Sequence, residues 1–305
     1  KSVSLIGDSV DRTAETQGID CLSLPFRCDK IKGPTKHGNE GNFMYVIFLL
    51  VSFGACVIGA ICGIGGGVII KPVLDSFGLL SVSAISFLSG CTVLSMTCYS
   101  VIKSRLSGNS LIEMRSGSIL AVGAAVGGLA GKELFDRISL LFPDQNMVGA
   151  VQAACLMLIT VWTLICTIRK DRLHTCIVTH PAPIFLIGLV LGIFSSFLGI
   201  GGGPINLVVL FIFFSMDTKT AAENSLYIIL FSQAASTLKT ILQGKVPDFQ
   251  LPLFIGMVIC GILGGIVGRR INSRIDEKTV QKLFIGIMVV IILINIYNIC
   301  KYTIL

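Results

Sequence analysis

The segment Gly63-Ile64-Gly65-Gly66-Gly67 occurs a second time, unchanged, as Gly199-Ile200-Gly201-Gly202-Gly203. Each copy follows a long apolar run and precedes a short one. Three consecutive glycines disfavour a helix by roughly 1 kcal/mol each relative to alanine. In lipid, irregular backbone survives only where it is buried in protein or lines a water-filled cavity. The sequence therefore predicts two broken helices whose breaks lie inside the protein.

The two copies belong to a longer internal similarity. A shift of 136 residues superimposes them, and the same shift pairs Ser89 with Ser225, Ser100 with Ser236, Lys103 with Lys239 and Gly108 with Gly244. A shift of 137 pairs Gly127, Gly128, Gly131 and Lys132 with Gly264, Gly265, Gly268 and Arg269. We therefore predict two homologous repeats of four elements, residues 43–170 and 171–305, after a polar N-terminal tail at residues 1–42. Each repeat opens with a glycine-broken helix.

Composition places the chain in a membrane. Hydrophobic residues make up 53% of it and charged residues only 13%, whereas soluble domains carry about 25% charged residues. Roughly 20 apolar residues span a bilayer, and the length admits about eight such spans. We predict an all-α, multi-pass integral membrane protein surrounded by lipid. The sequence does not indicate which membrane holds it, and a homo-oligomer stays open.

The positive charge does not predict a nucleic-acid partner, although the net charge is +7. Lys and Arg lie mostly in short connections, as expected beside membrane spans. If all eight long runs simply cross, these residues divide almost evenly between the two sides. The charges then leave open whether the second half is inverted or parallel to the first.

Cysteine and histidine give no sign of a metal, a cofactor or a catalytic group. Most of the eleven cysteines lie in apolar runs, where they act as small hydrophobic residues. Cys21 and Cys28 share the polar tail, where a local disulfide and free thiols are equal alternatives. The three histidines lie in connecting segments: His37, His174 and His180. Without an acid–base or nucleophile–base pair in the spans, we do not expect an enzyme.

The glycine breaks suit an anion. Glycine lets a ligand approach the peptide groups, and the short helix after each break begins with free N–H groups and a partial positive charge. Ser and Asn side chains on the following helices add hydrogen-bond donors, and no Asp or Glu lies in the middle of a span. The candidate site is Gly63, Gly65, Gly66, Gly67, Ser89, Gly199, Gly201, Gly202, Gly203, Asn224 and Ser225.

Two further features have competing interpretations. Lys71, in the short run after the first break, either attracts the substrate or extends to the membrane interface. Gly127, Gly128 and Gly131, with their partners in the second half, have the spacing of small residues that pack helices closely. For these glycines we predict packing rather than binding.

The paired breaks, Pro72 four residues after Val68, and the stretch Ala222-Glu223-Asn224-Ser225-Leu226 resemble the sulfite exporter TauE/SafE family. The similarity extends from Phe43 to the C-terminus. It implies a multi-pass carrier of sulfur-containing anions such as sulfite, thiosulfate or organosulfonates. The second half departs from the pattern, with Val208 at the position that matches Pro72.

Three functions follow as hypotheses. We favour a carrier of small inorganic or organic anions that works by alternating access around the two breaks. The first alternative is an anion channel with the same site. The second is a non-transporting membrane scaffold or receptor, with residues 1–42 as its binding portion.

Overall fold

The computed structural model describes residues 40–108, 111–141, 145–172 and 175–304. Residues 1–39 of the predicted polar tail lie outside these ranges, and so do Cys21, Cys28 and the disulfide considered for them. His37 and His174 are likewise outside the described residues. The first helix begins at Glu40, within the last three residues assigned to the tail.

The described part of the chain has ten α-helices and a 3-10 turn at Lys170–Arg172, and no strand occurs in those ranges. Eight are long and apolar enough to cross a membrane. The other two, α2 and α7, have 11 and 12 residues and directly follow the glycine breaks. The predicted all-α membrane class with about eight spans is confirmed. The bounds are α1 Glu40–Cys62, α2 Gly67–Phe77, α3 Val82–Leu106, α4 Met114–Leu141, α5 Gln145–Ile168, α6 Pro181–Leu198, α7 Gly203–Phe214, α8 Thr218–Leu242, α9 Leu251–Asn272 and α10 Glu277–Ile304.

Equivalent side chains begin α3 and α8. Ser81 accepts a hydrogen bond from the Ala84 N–H, and Asp217 accepts one from the Thr220 N–H. Each bond satisfies one of the N–H groups that a helix start leaves unpaired. Ser81 and Asp217 are 136 residues apart, so the same shift that aligns the breaks also aligns these caps.

One end of the helix bundle is defined by hydrogen bonds between helix termini. Asn272, at the end of α9, donates to the carbonyl of Ile61 at the end of α1. Thr218, at the start of α8, donates its N–H to Glu277 at the start of α10. Arg269, near the end of α9, donates to the Ser100 carbonyl of α3. We call this the basic end.

The other end holds both the start of α1 and the finish of α10, and we call it the terminal end. Phe48 of α1 packs on Phe77 at the end of α2, with ring centroids 5.7 Å apart. Lys301 of α10 donates to the Ser76 carbonyl, also at the end of α2. The short helix α2 therefore returns to the end from which α1 started.

The second broken helix has the reverse direction. Helix α6 starts at the basic end, and the Cys176 N–H just before it donates to the Ile212 carbonyl near the end of α7. The pair α6–α7 is thus a hairpin that starts and finishes at the basic end, whereas α1–α2 starts and finishes at the terminal end. Three crossings follow each hairpin, so the second half runs inverted relative to the first.

Glycines join the two halves by close backbone contact. A Cβ atom on Gly264 of α9 would lie 2.6 Å from the Cys56 Cβ of α1, and one on Gly128 of α4 would lie 2.6 Å from the Ser232 carbonyl oxygen of α8. Gly127 and Gly131 of α4 face the backbone of α6 in the same way. Each half therefore packs helices of the other, and these glycines serve packing, as predicted.

The hairpins change how charge divides between the ends. The near-even division of Lys and Arg between the two ends, expected from eight simple crossings, is wrong, because each break reverses the chain direction. Positive residues are enriched on the cytoplasmic side of membrane proteins, so we expect the basic end to face the cytoplasm. Among the described residues, the buried Lys71 apart, twelve Lys and Arg lie toward the basic end and five toward the terminal end: Lys103, Arg105, Arg115, Arg169, Lys170, Arg172, Lys219, Arg269, Arg270, Arg274, Lys278 and Lys282 against Lys132, Arg137, Lys239, Lys245 and Lys301.

Single cysteines in a cysteine-free background test this topology. We expect Ser107→Cys and Ser273→Cys to react with a membrane-impermeant maleimide only after cells are permeabilised, because both exposed positions lie at the basic end. Gln243→Cys, exposed at the terminal end, should react in intact cells. Labelling of positions 107 and 273 from opposite sides would show that the hairpins are full crossings.

Candidate anion site

The tips of the two hairpins contact each other. A Cβ atom on Gly67 would lie 2.5 Å from the Ile200 carbonyl oxygen, and one on Gly203 would lie 2.7 Å from a Val68 methyl group. Gly202 has φ of +97°, which L side chains rarely adopt. From this contact α2 and α7 run to opposite ends, so the starts of both short helices meet inside the protein.

Two equivalent apolar side chains cover the tips. Val93 of α3 and Ile229 of α8 both face Gly65 and Gly201, and both are fully buried. These two residues are also 136 positions apart. Because their methyl groups fill the space beside the glycines, the tip contact forms a closed, largely apolar barrier in this conformation.

The structure brings most of the predicted site residues to these tips. Ser89 donates to the Gly199 carbonyl at 3.0 Å. Ser225, its equivalent, is fully buried, and its hydroxyl oxygen has no hydrogen-bond partner among the described residues. Gly66 forms the N-cap of α2, and Gly63 lies against Ala222 of α8.

Asn224 does not join the tips. Its amide nitrogen donates to the carbonyls of Leu111 and Thr220, and its oxygen accepts from the Glu113 N–H. These bonds tie the connection before α4 to α8 at the basic end. The geometry assigns Asn224 a role in holding this connection.

A cavity of about 260 Å³ leads from the terminal end to the second break. It reaches Gly199, and its polar lining comes from α3, α5, α6 and α8. The polar residues nearest its inner end are Ser86, Gln152, Ser196 and Gln233.

Lys71 lies behind the inner wall of this terminal cavity. Its side chain is 3% exposed, and its ammonium group donates to Ser86 Oγ at 2.9 Å and to Gln152 Oε1 at 2.7 Å. Gln152 in turn donates to the Phe197 carbonyl just before the second break. The interpretation that Lys71 extends to the interface is therefore wrong, because its charge points into the protein beside two cavity-lining residues.

A second cavity, of about 180 Å³, opens at the basic end. All ten of its lining residues correspond, by shifts of 136 or 137, to residues that line the terminal cavity. Ala60 corresponds to Ser196, for example, and Arg269 to Lys132. Two equivalent cavities thus approach the tip contact from opposite ends.

The basic cavity is crossed by a bridge centred on Glu223. Its carboxylate accepts from Ser104 Oγ at 2.8 Å and from the Leu111 N–H at 3.1 Å, and it pairs with Arg269 at 3.4 Å. The equivalent of Glu223 in the terminal cavity is Phe87, which stacks on Phe249. The terminal cavity contains a different set of ion pairs, in which Asp136 pairs with Lys132 at 3.1 Å and with Lys245 at 3.3 Å.

Sequence analysis missed Asn206. It is 1% exposed beside Gly202, and neither its amide nitrogen nor its oxygen has a hydrogen-bond partner among the described residues. A buried amide without hydrogen-bond partners is unfavourable, so the Asn206 side chain marks a position next to the tips where a hydrogen-bonding partner is needed. An asparagine in an otherwise apolar 12-residue helix was the available signal.

Comparison with known proteins gives one match. The family model described as Sulfite exporter TauE/SafE matches residues 48–294, which covers both breaks and all the cavity-lining residues. No curated protein and no solved structure matches the chain.

Alanine at the tip tests the close contact. Gly67→Ala should reduce the free energy of unfolding by about 1–3 kcal/mol, as overpacking does, because the new methyl group meets the Ile200 carbonyl. Gly54→Ala is the matched control, since a Cβ there meets nothing within 4 Å. Thermal unfolding in detergent measures both. Equal stability of the two variants would show that the tips are not in tight contact.

Proposed function

The chain belongs to the sulfite exporter TauE/SafE family, and from this membership we propose that it carries small sulfur-containing oxyanions across its membrane. The family is one of multi-pass membrane transporters of the sulfite exporter type. Sulfite, thiosulfate and organosulfonates are the substrate class proposed here.

The observation that carries the proposal is the position of Lys71. A lysine ammonium group is expensive to bury unless polar partners surround it, and here Ser86 and Gln152 accept its hydrogen bonds. Water screens a charge poorly at such a depth, so Lys71 attracts an anion more strongly than a surface lysine does. Ser86 and Gln152 line the cavity through which an anion from the terminal end arrives.

The tips supply the remaining donors. An oxyanion that passes from Lys71 toward Gly199 meets the buried serine hydroxyls and the positively polarised starts of α2 and α7. Asn206 lies at the same level, with an amide N–H₂ that has no partner among the described side and main chains. Neutral donors of this kind bind an oxyanion without adding charge that would hold it permanently.

Alternating access fits the two cavities better than a channel. A channel needs both cavities open to a shared pore, whereas here the tip glycines, Val93 and Ile229 separate them. Equivalent cavities at opposite ends favour an exchange in which one closes as the other opens, the pattern common among inverted-repeat carriers. Opening the basic end then requires breaking the Glu223 bridge.

Uptake into proteoliposomes tests the substrate and the site. We expect saturable uptake of labelled sulfite or thiosulfate, with sulfate as a comparison, and at least a tenfold loss in Lys71→Met because the buried cation is removed. Lys278→Met, at an exposed position of the basic end, is the matched control. No saturable flux of any of these anions would overturn the transport proposal, and non-saturable flux would indicate a channel. Full activity of Lys71→Met would overturn its role.

The closing bridge has its own test. Glu223→Gln should increase the labelling rate of Ser100→Cys in the basic cavity about tenfold, since hydrogen bonds to charged groups contribute about 1.5–3 kcal/mol. Glu277→Gln is the control, because Glu277 pairs with Lys170 at the same end but does not line the cavity. Unchanged labelling in Glu223→Gln would show that this bridge does not close the basic end.

A further inference from the structure

Asp75 is a buried carboxylate that accepts a hydrogen bond from the Tyr302 hydroxyl but leaves one oxygen unpaired within the described part of the chain. It is 5% exposed, and one of its oxygens, Oδ1, has no hydrogen-bond partner among the described residues. The other, Oδ2, lies 3.9 Å from Lys71 Nζ, which is too long for a hydrogen bond. The lysine directs its short hydrogen bonds to Ser86 and Gln152 instead. Lys71 therefore compensates the charge of Asp75 without donating a hydrogen bond to it.

The surroundings of the pair contain few other charges. Lys301 and Tyr302 of α10 act on Asp75, and Lys132 of α4 acts on Lys71. Helices α1 and α3 also pack on α2, but residues 43–62 and 82–102 contain no charged side chain. Lys301 donates to the Ser76 carbonyl. Lys71 is therefore the charge that acts most strongly on Asp75, while Lys301 and Tyr302 also favour its carboxylate form.

The fold does not require this ion pair. The equivalents of Lys71 and Asp75 in the second half are Leu207 and Phe211, and α7 forms the same short helix with them. The charged pair therefore has a role only in the first half, because the second half has apolar residues at the equivalent positions. In the first half, the pair lies behind the terminal cavity.

We propose that Lys71 and Asp75 couple anion transport to protons, an inference that rests on the proposed function. In the empty carrier the two side chains neutralise each other. An anion bound at Lys71 then neutralises the lysine in place of Asp75. The less compensated Asp75 carboxylate takes a proton from a hydronium ion in the cavity, so one O–H bond of the hydronium breaks, one O–H bond forms on Asp75 and a water molecule remains. When the anion leaves, Asp75 releases the proton and the pair forms again. One proton accompanies each anion.

The coupling has a defined sign. Anion binding favours protonation of Asp75, so by reciprocity protonation favours anion binding. Affinity should therefore rise as pH falls, by up to about tenfold per pH unit while Asp75 titrates in the empty carrier. Because anion and proton move together, a pH gradient drives accumulation on the alkaline side.

The test uses proteoliposomes with an imposed pH gradient and an internal pH dye. Thiosulfate and sulfate are the probes because neither changes charge between about pH 6 and 8, whereas sulfite exchanges a proton there and would imitate coupling. The wild-type protein should accumulate one of these anions on the alkaline side, with about one proton per anion. Asp75→Asn should retain saturable downhill uptake but lose both the proton movement and the accumulation. Asp276→Asn, at an exposed position of the basic end, should couple normally.

The outcomes separate the two proposals. Saturable wild-type uptake without proton movement, or full coupling in Asp75→Asn, overturns the coupling and leaves the transport function standing. No uptake of thiosulfate, sulfate or sulfite by the wild-type protein overturns both. If Asp75→Asn does not fold, calorimetric titration of the wild-type protein with thiosulfate in two buffers of different ionisation enthalpy decides. Uptake of about one proton on binding supports the coupling, and none overturns it.

Discussion

The structure depends on one constraint: backbone N–H and C=O groups cannot be left unpaired in lipid. The two glycine breaks free such groups at the ends of α1 and α6, so the breaks must lie within protein. Side chains satisfy part of that demand, because Ser89 donates to the Gly199 carbonyl, Gln152 to the Phe197 carbonyl and Asn272 to the Ile61 carbonyl. The two breaks also bury each other by packing, with Gly67 against Ile200 and Gly203 against Val68. Neither hairpin can bury its own tip, and each therefore needs the other. The inverted arrangement follows, because two hairpins that meet tip to tip must enter from opposite ends.

Close packing between halves follows from the same requirement. Helix α4 of the first half lies against α6 of the second, and α9 of the second lies against α1 of the first, in both cases through glycines that leave no room for a Cβ. Each broken helix is thus supported by a helix from the other half. A movement of one hairpin must carry its partner helix with it, so motion at one cavity is mechanically linked to motion at the other.

The sequence predicted the features that periodicity and composition determine, such as the helix breaks. It did not predict the features that depend on chain direction, such as the hairpins. The two helix breaks were predicted because glycine runs disfavour helices, and α1 and α6 do end directly before them, at Cys62 and Leu198. The hairpins were not predicted, since a break alone does not show whether the chain continues or turns back. Lys71 and Asn224 illustrate the same limit. An isolated lysine in an apolar run can point into the protein or extend to the membrane interface. Only its hydrogen-bond partners Ser86 and Gln152, which are distant in sequence, show which of the two occurs. Asn224 is buried as a site residue should be, yet its bonds go to a connection more than 100 residues earlier.

The two halves share their glycine breaks and matching cavity positions at shifts of 136 or 137 residues, but the side chains at those positions differ. The terminal cavity has a buried lysine behind it and an aromatic Phe87 where the basic cavity has Glu223. Equal cavities with equal linings would leave the two open states equal in energy. Under the carrier function proposed above, the Glu223 bridge would have to break when the basic end opens, whereas Lys71 would attract anions from the terminal end. An anion that binds one open state more tightly than the other would then shift the balance between them. The two glycine breaks would provide the two routes, and the unequal side chains would determine how an anion moves between them.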